Sequence, residues 1–554
     1  MEGALKLSVR IQQRRDAAGN WASRNPTLAQ GEIGFVTGST DFKVGDGTTP
    51  WNALAPWSPT KGAPKLVSIA DNCWGSAPDS KAAASTAGTS KRFFNIGVGA
   101  TNIQTAWHHW YTDMDGGEYD LDPSGPITFS ASLEVISSTS PGTVVGQLWR
   151  LTFGGRTTPI LDPGGQILSD PLGLSLAAGD VIAVRTYLSS GTAYAPELTW
   201  GNASTGVPGG FTAGSDLTAP GSAAIPDSTG YYYGPANVLG YPDDANNAKS
   251  VLALGDSIGH GGGDISWTYT IPTKMWGFLP RALSGKAGLL NLAIGGDEAT
   301  LFQGTNGSFR RISVAGRTNS AIIEYGANDL GAGVSAASLE AAVLDLASKL
   351  RRLGISKVFL LTIVPRSTST DNWATITNQT TDPSNPQRVL YNTWVRAKCP
   401  VDPETKAAVA VGTPGALLAG SFGHPITGMF DVAATVESSL NSGLWAPASR
   451  VATGSMASGD FILTTSSTTF SSANQESGGD KGLEFILSGA GASGAALRGS
   501  LAKYQSNTSY QTNTIASTTV TDAALTIGPM TEEGVHPTSR GHNLMAAAID
   551  TALL

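Results

Sequence analysis

The chain has 554 residues, too many for one hydrophobic core, and domains of ~100–200 residues predict about three to five units. Only 14% of residues are charged while 68 are glycine, a balance that favours short strands and turns over long solvent-facing helices. The net charge of -8, with no Lys/Arg run beyond pairs such as Arg351-Arg352, argues against nucleic acid as a partner.

The opening stretch "MEGALKLSVRIQQRRDAAGNW" lacks the apolar segment of a secretory signal, and no apolar run approaches the ~20 residues that span a bilayer. The expectation is a soluble chain with no membrane span, made in a cytoplasm without a signal peptide. Residues 1–60 read as a small turn-rich unit: a short strand and a loop, then a hairpin of Glu32–Val36 and Phe42–Val44 around the turn residues Gly38-Ser39-Thr40-Asp41. Three elements follow one another here: the basic stretch Arg10–Arg15, then "LAQGEIGF" (Leu28–Phe35), then "KVGDGTTPWNAL" (Lys43–Leu54). This ordered set resembles the N-terminal domain of phage tail-fibre and tropism-determinant proteins. The resemblance implies a virion component (tail fibre, tailspike or surface decoration) made in the host cytoplasm. It implies attachment to other virion proteins through this domain, and a homo-oligomer for which a trimer is one form.

Residues 66–245 read as all-β. "GPITFSASLEVISS", "GTVVGQLWRLTFGG" and "GDVIAVRTYLSS" alternate apolar and polar residues between Gly, Ser and Pro turns, the pattern of a sandwich or jelly roll. Trp107, Trp110, Tyr111, Trp149, Trp200 and Tyr231–Tyr233 would serve either as core or as surfaces on which sugar rings stack, and for any one of them core is the first expectation. "YYYGPANVLGYPDD" reads as a linker strap. Cys73 and Cys399 match neither a disulfide framework nor a zinc site and are expected as unpaired structural thiols.

At Val251 the pattern changes. "SVLALGDS", "GLLNLAIGGDEA", "SAIIEYGANDL" and "SKVFLLTIVP" are short apolar strands of the kind buried in a parallel sheet. Leu339, Val343, Leu346 and Leu350 share one stripe of a helix from about Ala336 to Arg352, and "SRGHNLMAAAIDTALL" reads as a closing helix opened by a serine cap. Strands alternating with helices imply a three-layer α/β domain over residues 246–445 and 529–554. Residues 446–528 return to a β pattern and read as a small inserted β domain.

The stretch "VLALGDSIGHGGGD" ends an apolar strand on Ser257 among glycines. Gly296 follows the second strand and Asn328 the third. His536 precedes the last helix, with Glu533 three residues ahead of it. Ligands of open parallel sheets bind at these strand ends. "GDS", "NLAIGGDE", "GAND" and "EGVHP" resemble, in order, the four signature segments of the SGNH/GDSL hydrolase family. The resemblance implies a serine esterase with Ser257 as nucleophile and His536 as base. The oxyanion hole would be the N–H groups of Ser257 and Gly296 with the Asn328 amide; no cofactor or metal is implied. The chemistry is coherent: a serine hydroxyl needs a base to take its proton, and the tetrahedral oxyanion needs preorganised donors. The family usually carries Asp where this chain has Glu533, a methylene longer by roughly 1.5 Å. Glu533 is the expected third member; another carboxylate, or a backbone carbonyl that orients His536, are the alternatives. Asp256 and Asp329 read as structural, and His260 and His424 receive no role.

Together these readings predict a multidomain virion-associated serine esterase that removes O-acetyl groups from host surface polysaccharide during phage adsorption. The alternative is a non-catalytic receptor-binding or structural fibre protein that keeps the hydrolase scaffold.

Overall fold

The computed structural model describes residues 13–37, 42–54, 65–71, 87–112, 120–140, 144–189, 209–226, 233–245, 247–264, 276–303, 309–467, 469–472 and 479–554. The turn residues 38–41, and with them Cys73, Trp200, Tyr231 and Tyr232, lie outside the described residues. The chain divides into two compact units, residues 1–65 with 420–424, and residues 66–419 with 425–554.

In the first unit the strand Ile33–Val36 pairs antiparallel with Phe42–Val44 and parallel with Gln13–Asp16. The expected loop after the first strand is instead a helix, Ala18–Arg24, because Trp21 is buried and stacked on Trp51 with ring centroids 4.1 Å apart. This stack explains one glycine of the "GEIGF" segment: a Cβ on Gly34 would meet the Trp51 ring at 2.6 Å. In the "GDGTT" turn the Asp46 carboxylate accepts from the N–H groups of Thr48 and Thr49.

The second unit begins with two antiparallel sheets. One has Ile127–Ser137, Val181–Leu188 and Gly88–Ile96 at its centre; the other is built around Ala100–His108 and Asn237–Pro242. Phe94, Phe129 and Val184 from the first meet Ile103, Trp107 and Val238 from the second in one core. Asn237–Pro242 is thus a strand where a linker was expected, because Val238 and Leu239 are fully buried between its neighbours. Trp107, Trp110, Tyr111 and Tyr233 are core residues, leaving none of these four as a sugar platform.

Five parallel strands follow: β1 (Ser250–Gly255), β2 (Gly288–Asn291), β3 (Ser320–Glu324), β4 (Lys357–Leu361) and β5 (Gly428–Phe430), in spatial order β2-β1-β3-β4-β5. β5 was not expected from the sequence; three residues carry too little pattern. Alternation along β1 covers both faces of the sheet. Leu252 and Leu254 join the core under the helix Ala336–Arg352, while Val251 and Ala253 join Phe278, Leu279 and Met545 on the other side. Leu339, Val343, Leu346 and Leu350 are all fully buried, as their spacing predicts. The order reverses between β1 and β3, so the chain leaves these two strands in opposite directions and opens a crevice at their C-terminal ends.

Residues 450–527 form a closed barrel of six strands around Leu463, Phe485, Leu501 and Leu525. The final helix is Ser539–Ala547, shorter than expected, and its cap position is Thr538 rather than a serine. The Thr538 hydroxyl is occupied by Pro529 O (2.6 Å), and Glu484 of the barrel accepts the Ser539 N–H instead (2.7 Å). A tertiary contact has replaced the local cap. Among the described residues no helix is long and apolar enough to cross a membrane.

Candidate active site

Ser257 stands on the sharp turn that leaves β1. Asp256 caps that turn by accepting the Ile258 N–H (2.8 Å). Beneath it lies Glu324, the last residue of β3, whose carboxyl accepts from Gly259 N (2.9 Å) and Asp256 N (3.2 Å). Burial raises the Asp256 carboxyl to about 7 and, with the charge of Asp256 beside it, lifts Glu324 well above the carboxylate range. Burial thus favours the protonated form at both carboxyls. Glu324 escaped the sequence reading, although a single acid ending the apolar run "SAIIE" was a visible signal.

The glycines after Ser257 have a steric reason. A Cβ on Gly262 would meet the His536 ring at 2.8 Å, and one on Gly263 would meet His536 Cβ at 2.8 Å. Without side chains there, His536 comes in close: its Nε2 lies 2.7 Å from Ser257 Oγ. On the other side of the ring, His536 Nδ1 is 2.8 Å from Glu533 Oε1, which also accepts the His536 backbone N–H at 2.6 Å. Burial opposes ionisation of Glu533, but the hydrogen bonds from the His536 ring and backbone outweigh it and hold the carboxyl below its usual range. The glutamate side chain reaches forward along the loop, so that one oxygen accepts the backbone N–H groups of Val535 and His536 and still meets the ring. The loop itself is pinned at Gly534, whose carbonyl accepts from Trp445 Nε1 (3.0 Å) and Ser367 N (3.1 Å).

Gly296 lies in the turn after β2 at φ +84°, a conformation that favours glycine. Asn328 reaches this turn from β3: its Nδ2 donates to Asp297 O at 3.1 Å. Asp329 accepts the N–H groups of Ala299 and Thr300, both at 3.1 Å, and so fixes the loop rather than facing the serine. An open apolar hollow lies against the segments that carry these groups. Ile258, Ala327 and Val535, the neighbours of Ser257, Asn328 and His536, share its wall with Leu330, Ile363 and Val364. The structure thus joins Ser257, His536 and Glu533 by hydrogen bonds and ties Asn328 to the turn that carries Gly296.

Sequence reasoning also missed Asp264, at the end of the glycine run. Its buried carboxylate accepts from Arg281 (2.7 Å), Gly277 N (2.7 Å) and the Ser539 hydroxyl (2.7 Å), clamping the nucleophile loop to the last helix. Cys399 is buried, and its thiol donates to Val395 O (3.9 Å).

Residues 253–400 match the GDSL-like lipase/acylhydrolase family, and residues 11–49 match the major tropism determinant N-terminal domain. The chain therefore carries a GDSL/SGNH hydrolase domain and a phage tropism-determinant N-terminal domain. Similar solved structures include the SGNH-hydrolase family esterase AlinE4 (20% identity, 21% of this chain and 60% of that one, TM-score 0.16). Others are TesA (25% identity, 21% and 61%, TM-score 0.16) and a GDSL-like lipase from Bacteroides thetaiotaomicron (11% identity, 55% and 86%, TM-score 0.25). The chain spans about 60% of the length of AlinE4. No curated protein matches the chain.

Proposed function

We propose that this chain is a virion-associated serine esterase that removes O-acetyl groups from host surface polysaccharide. The observation that carries the reading is the hydrogen-bonded series Ser257–His536–Glu533. His536 Nε2 takes the Ser257 proton as Oγ attacks the ester carbonyl. The tetrahedral oxyanion is met by the N–H groups of Ser257 and Gly296 and by the second N–H of the Asn328 amide, the first being held by Asp297 O. Collapse expels the sugar hydroxyl, which receives its proton from His536, and leaves acetyl on Ser257. Water, activated by the same imidazole, then releases acetate.

A short acyl group is compatible with the apolar hollow whose wall includes Ile258, Ala327 and Val535, next in the chain to Ser257, Asn328 and His536. The tropism-determinant domain supports placement on a phage particle, where altering a receptor glycan has a use. The test is acetate release from O-acetylated and chemically deacetylated host polysaccharide, with p-nitrophenyl acetate as small substrate and Ser257→Ala as control. Turnover of the aryl ester without acetate release from any host glycan would keep the esterase and reject the polysaccharide. Failure on every ester would favour the non-catalytic fibre protein.

A further inference from the structure

The turn that carries Gly296 is held from outside the α/β domain. Asp297, next in the chain, is fully buried. Its carboxylate accepts from the Tyr325 hydroxyl at 2.5 Å and from Arg311 Nη1 at 2.5 Å. Arg311, in the short helix Phe309–Ser313, is itself completely buried, with its guanidinium 4.9 Å from the centre of the Phe302 ring. Its other edge points away from the site. Arg311 Nε donates to Asp120 Oδ1 (2.8 Å) and Arg311 N donates to Asp120 Oδ2 (3.0 Å). Asp120 belongs to the preceding β module, in a two-residue strand paired with Tyr111–Thr112, and the Thr112 hydroxyl donates to it at 3.0 Å.

One buried cation therefore serves two buried carboxylates, one beside the oxyanion turn and one in another module. A planar guanidinium offers donors along fixed directions, so anchoring one edge sets the position of the other. Side chains with a single low-energy arrangement are what preorganise a transition-state donor.

We propose that Asp120 is a positioning residue for the esterase reaction, acting through Arg311 and Asp297 to hold the Gly296 N–H where the oxyanion forms. This rests on the esterase reading given above. The β module is then part of the catalytic apparatus as well as a neighbour of it, and the hydrolase domain separated from it has a loosened oxyanion turn.

Asp120→Asn tests this. The amide keeps one acceptor, but its NH₂ must face either Arg311 N–H or Arg311 Nε–H, donor against donor. Loss of a whole oxyanion donor costs ~10²–10³ in kcat, so loosening one predicts a fall of about 5- to 30-fold with KM for p-nitrophenyl acetate within about two-fold. Thr112→Val, which only removes the hydroxyl that orients Asp120, gives a smaller fall in the same direction and serves if Asp120→Asn does not fold. Arg310→Ala is the control: it deletes contacts of the same helix to Asp122 (2.7 Å) and Gly164 O (3.1 Å) without touching Asp297, and leaves kcat unchanged. Hydrogen–deuterium exchange of the peptide covering residues 294–300 provides a readout independent of turnover. Exchange there is faster in Asp120→Asn and unchanged in Arg310→Ala. Unchanged kcat and exchange in folded Asp120→Asn, or equal effects in Arg310→Ala, overturn the proposal. A wild-type chain without turnover that still shows the exchange difference rejects the esterase reading and leaves the buttress standing.

Discussion

Replacing Glu533 by glutamine removes a charge while nearly preserving shape. Glu533 Oε1 takes three hydrogen bonds, from His536 Nδ1, His536 N and Val535 N. Three donors select an oxygen, so glutamine places its carbonyl there and turns its NH₂ outward. The ring orientation and tautomer survive; what disappears is the negative charge facing the imidazolium that forms as Ser257 attacks. The Glu533 side chain is 53% exposed, so water screens that charge. At ~4 Å and an effective dielectric between ~20 and ~80 the attraction is about 1–4 kcal/mol, and exposure favours the lower half. A loss of about 1–2 kcal/mol corresponds to a ~5- to 30-fold fall in kcat. That is far less than the ~10⁴-fold seen where a buried triad aspartate is neutralised and the tautomer is lost. Steady-state hydrolysis of p-nitrophenyl acetate measures it, with KM expected within about two-fold. Glu533→Asp, which keeps the charge but retracts it by roughly 1.5 Å, should lose a comparable amount. A fall as deep as that of His536→Ala would show that Glu533 sets the tautomer after all. No fall would show that the Glu533 charge adds nothing beyond the hydrogen bond its oxygen accepts from the ring.

Ser257→Ala and His536→Ala are each expected to lower ester turnover at least ~10³-fold, and the double variant little further, because the members act as a unit; additive losses would break the assignment. Asn328→Ala should lower kcat by roughly 10²–10³-fold at nearly constant KM, whereas a raised KM with kcat intact would make Asn328 a substrate-binding residue. Stability should fall as pH rises from about 6.5 to 8, read as the melting temperature. Burial raises Glu484 to about 8 and Asp256 and Glu532 to about 7, so the folded chain binds protons that the unfolded chain releases near ~4. Their contribution is full below ~4 and is lost through pH 7–8. Burial lowers His542 to about 4, which acts in the opposite sense, but only up to the unfolded value of ~6.5. Glu484→Gln, which can still accept the Ser539 N–H, should flatten the alkaline decline; a melting temperature that rises over this interval would refute the argument.

The four signature segments were legible in the sequence because each is local. An apolar strand ending on a small polar residue needs only its own alternation and its own turn. The helix Ala336–Arg352 was legible for the same reason, its buried stripe being written at one spacing. The three-residue β5 and the helix Ala18–Arg24 were not: one has too few residues to show a period, and the other forms because Trp21 finds Trp51 thirty residues on. The closing helix shows the limit of local rules. Its serine does not cap, because Thr538 is engaged elsewhere and the inserted barrel supplies Glu484.

Residue order alone makes legible which chemical groups are present and where they fall: Ser257, Gly296 and Asn328 after strands, His536 and an acid at Glu533 just before the last helix. How they meet depends on tertiary packing. It placed Glu533 within reach of His536 Nδ1, brought the ring to 2.7 Å from Ser257 over two bare glycines, and set Glu324 under the turn. It also routed the support of Gly296 through Arg311 to Asp120, 191 positions earlier in the chain. A buried charge is stable only where partners converge on it. Convergence depends on how distant strands and loops pack together, and no window of sequence contains it.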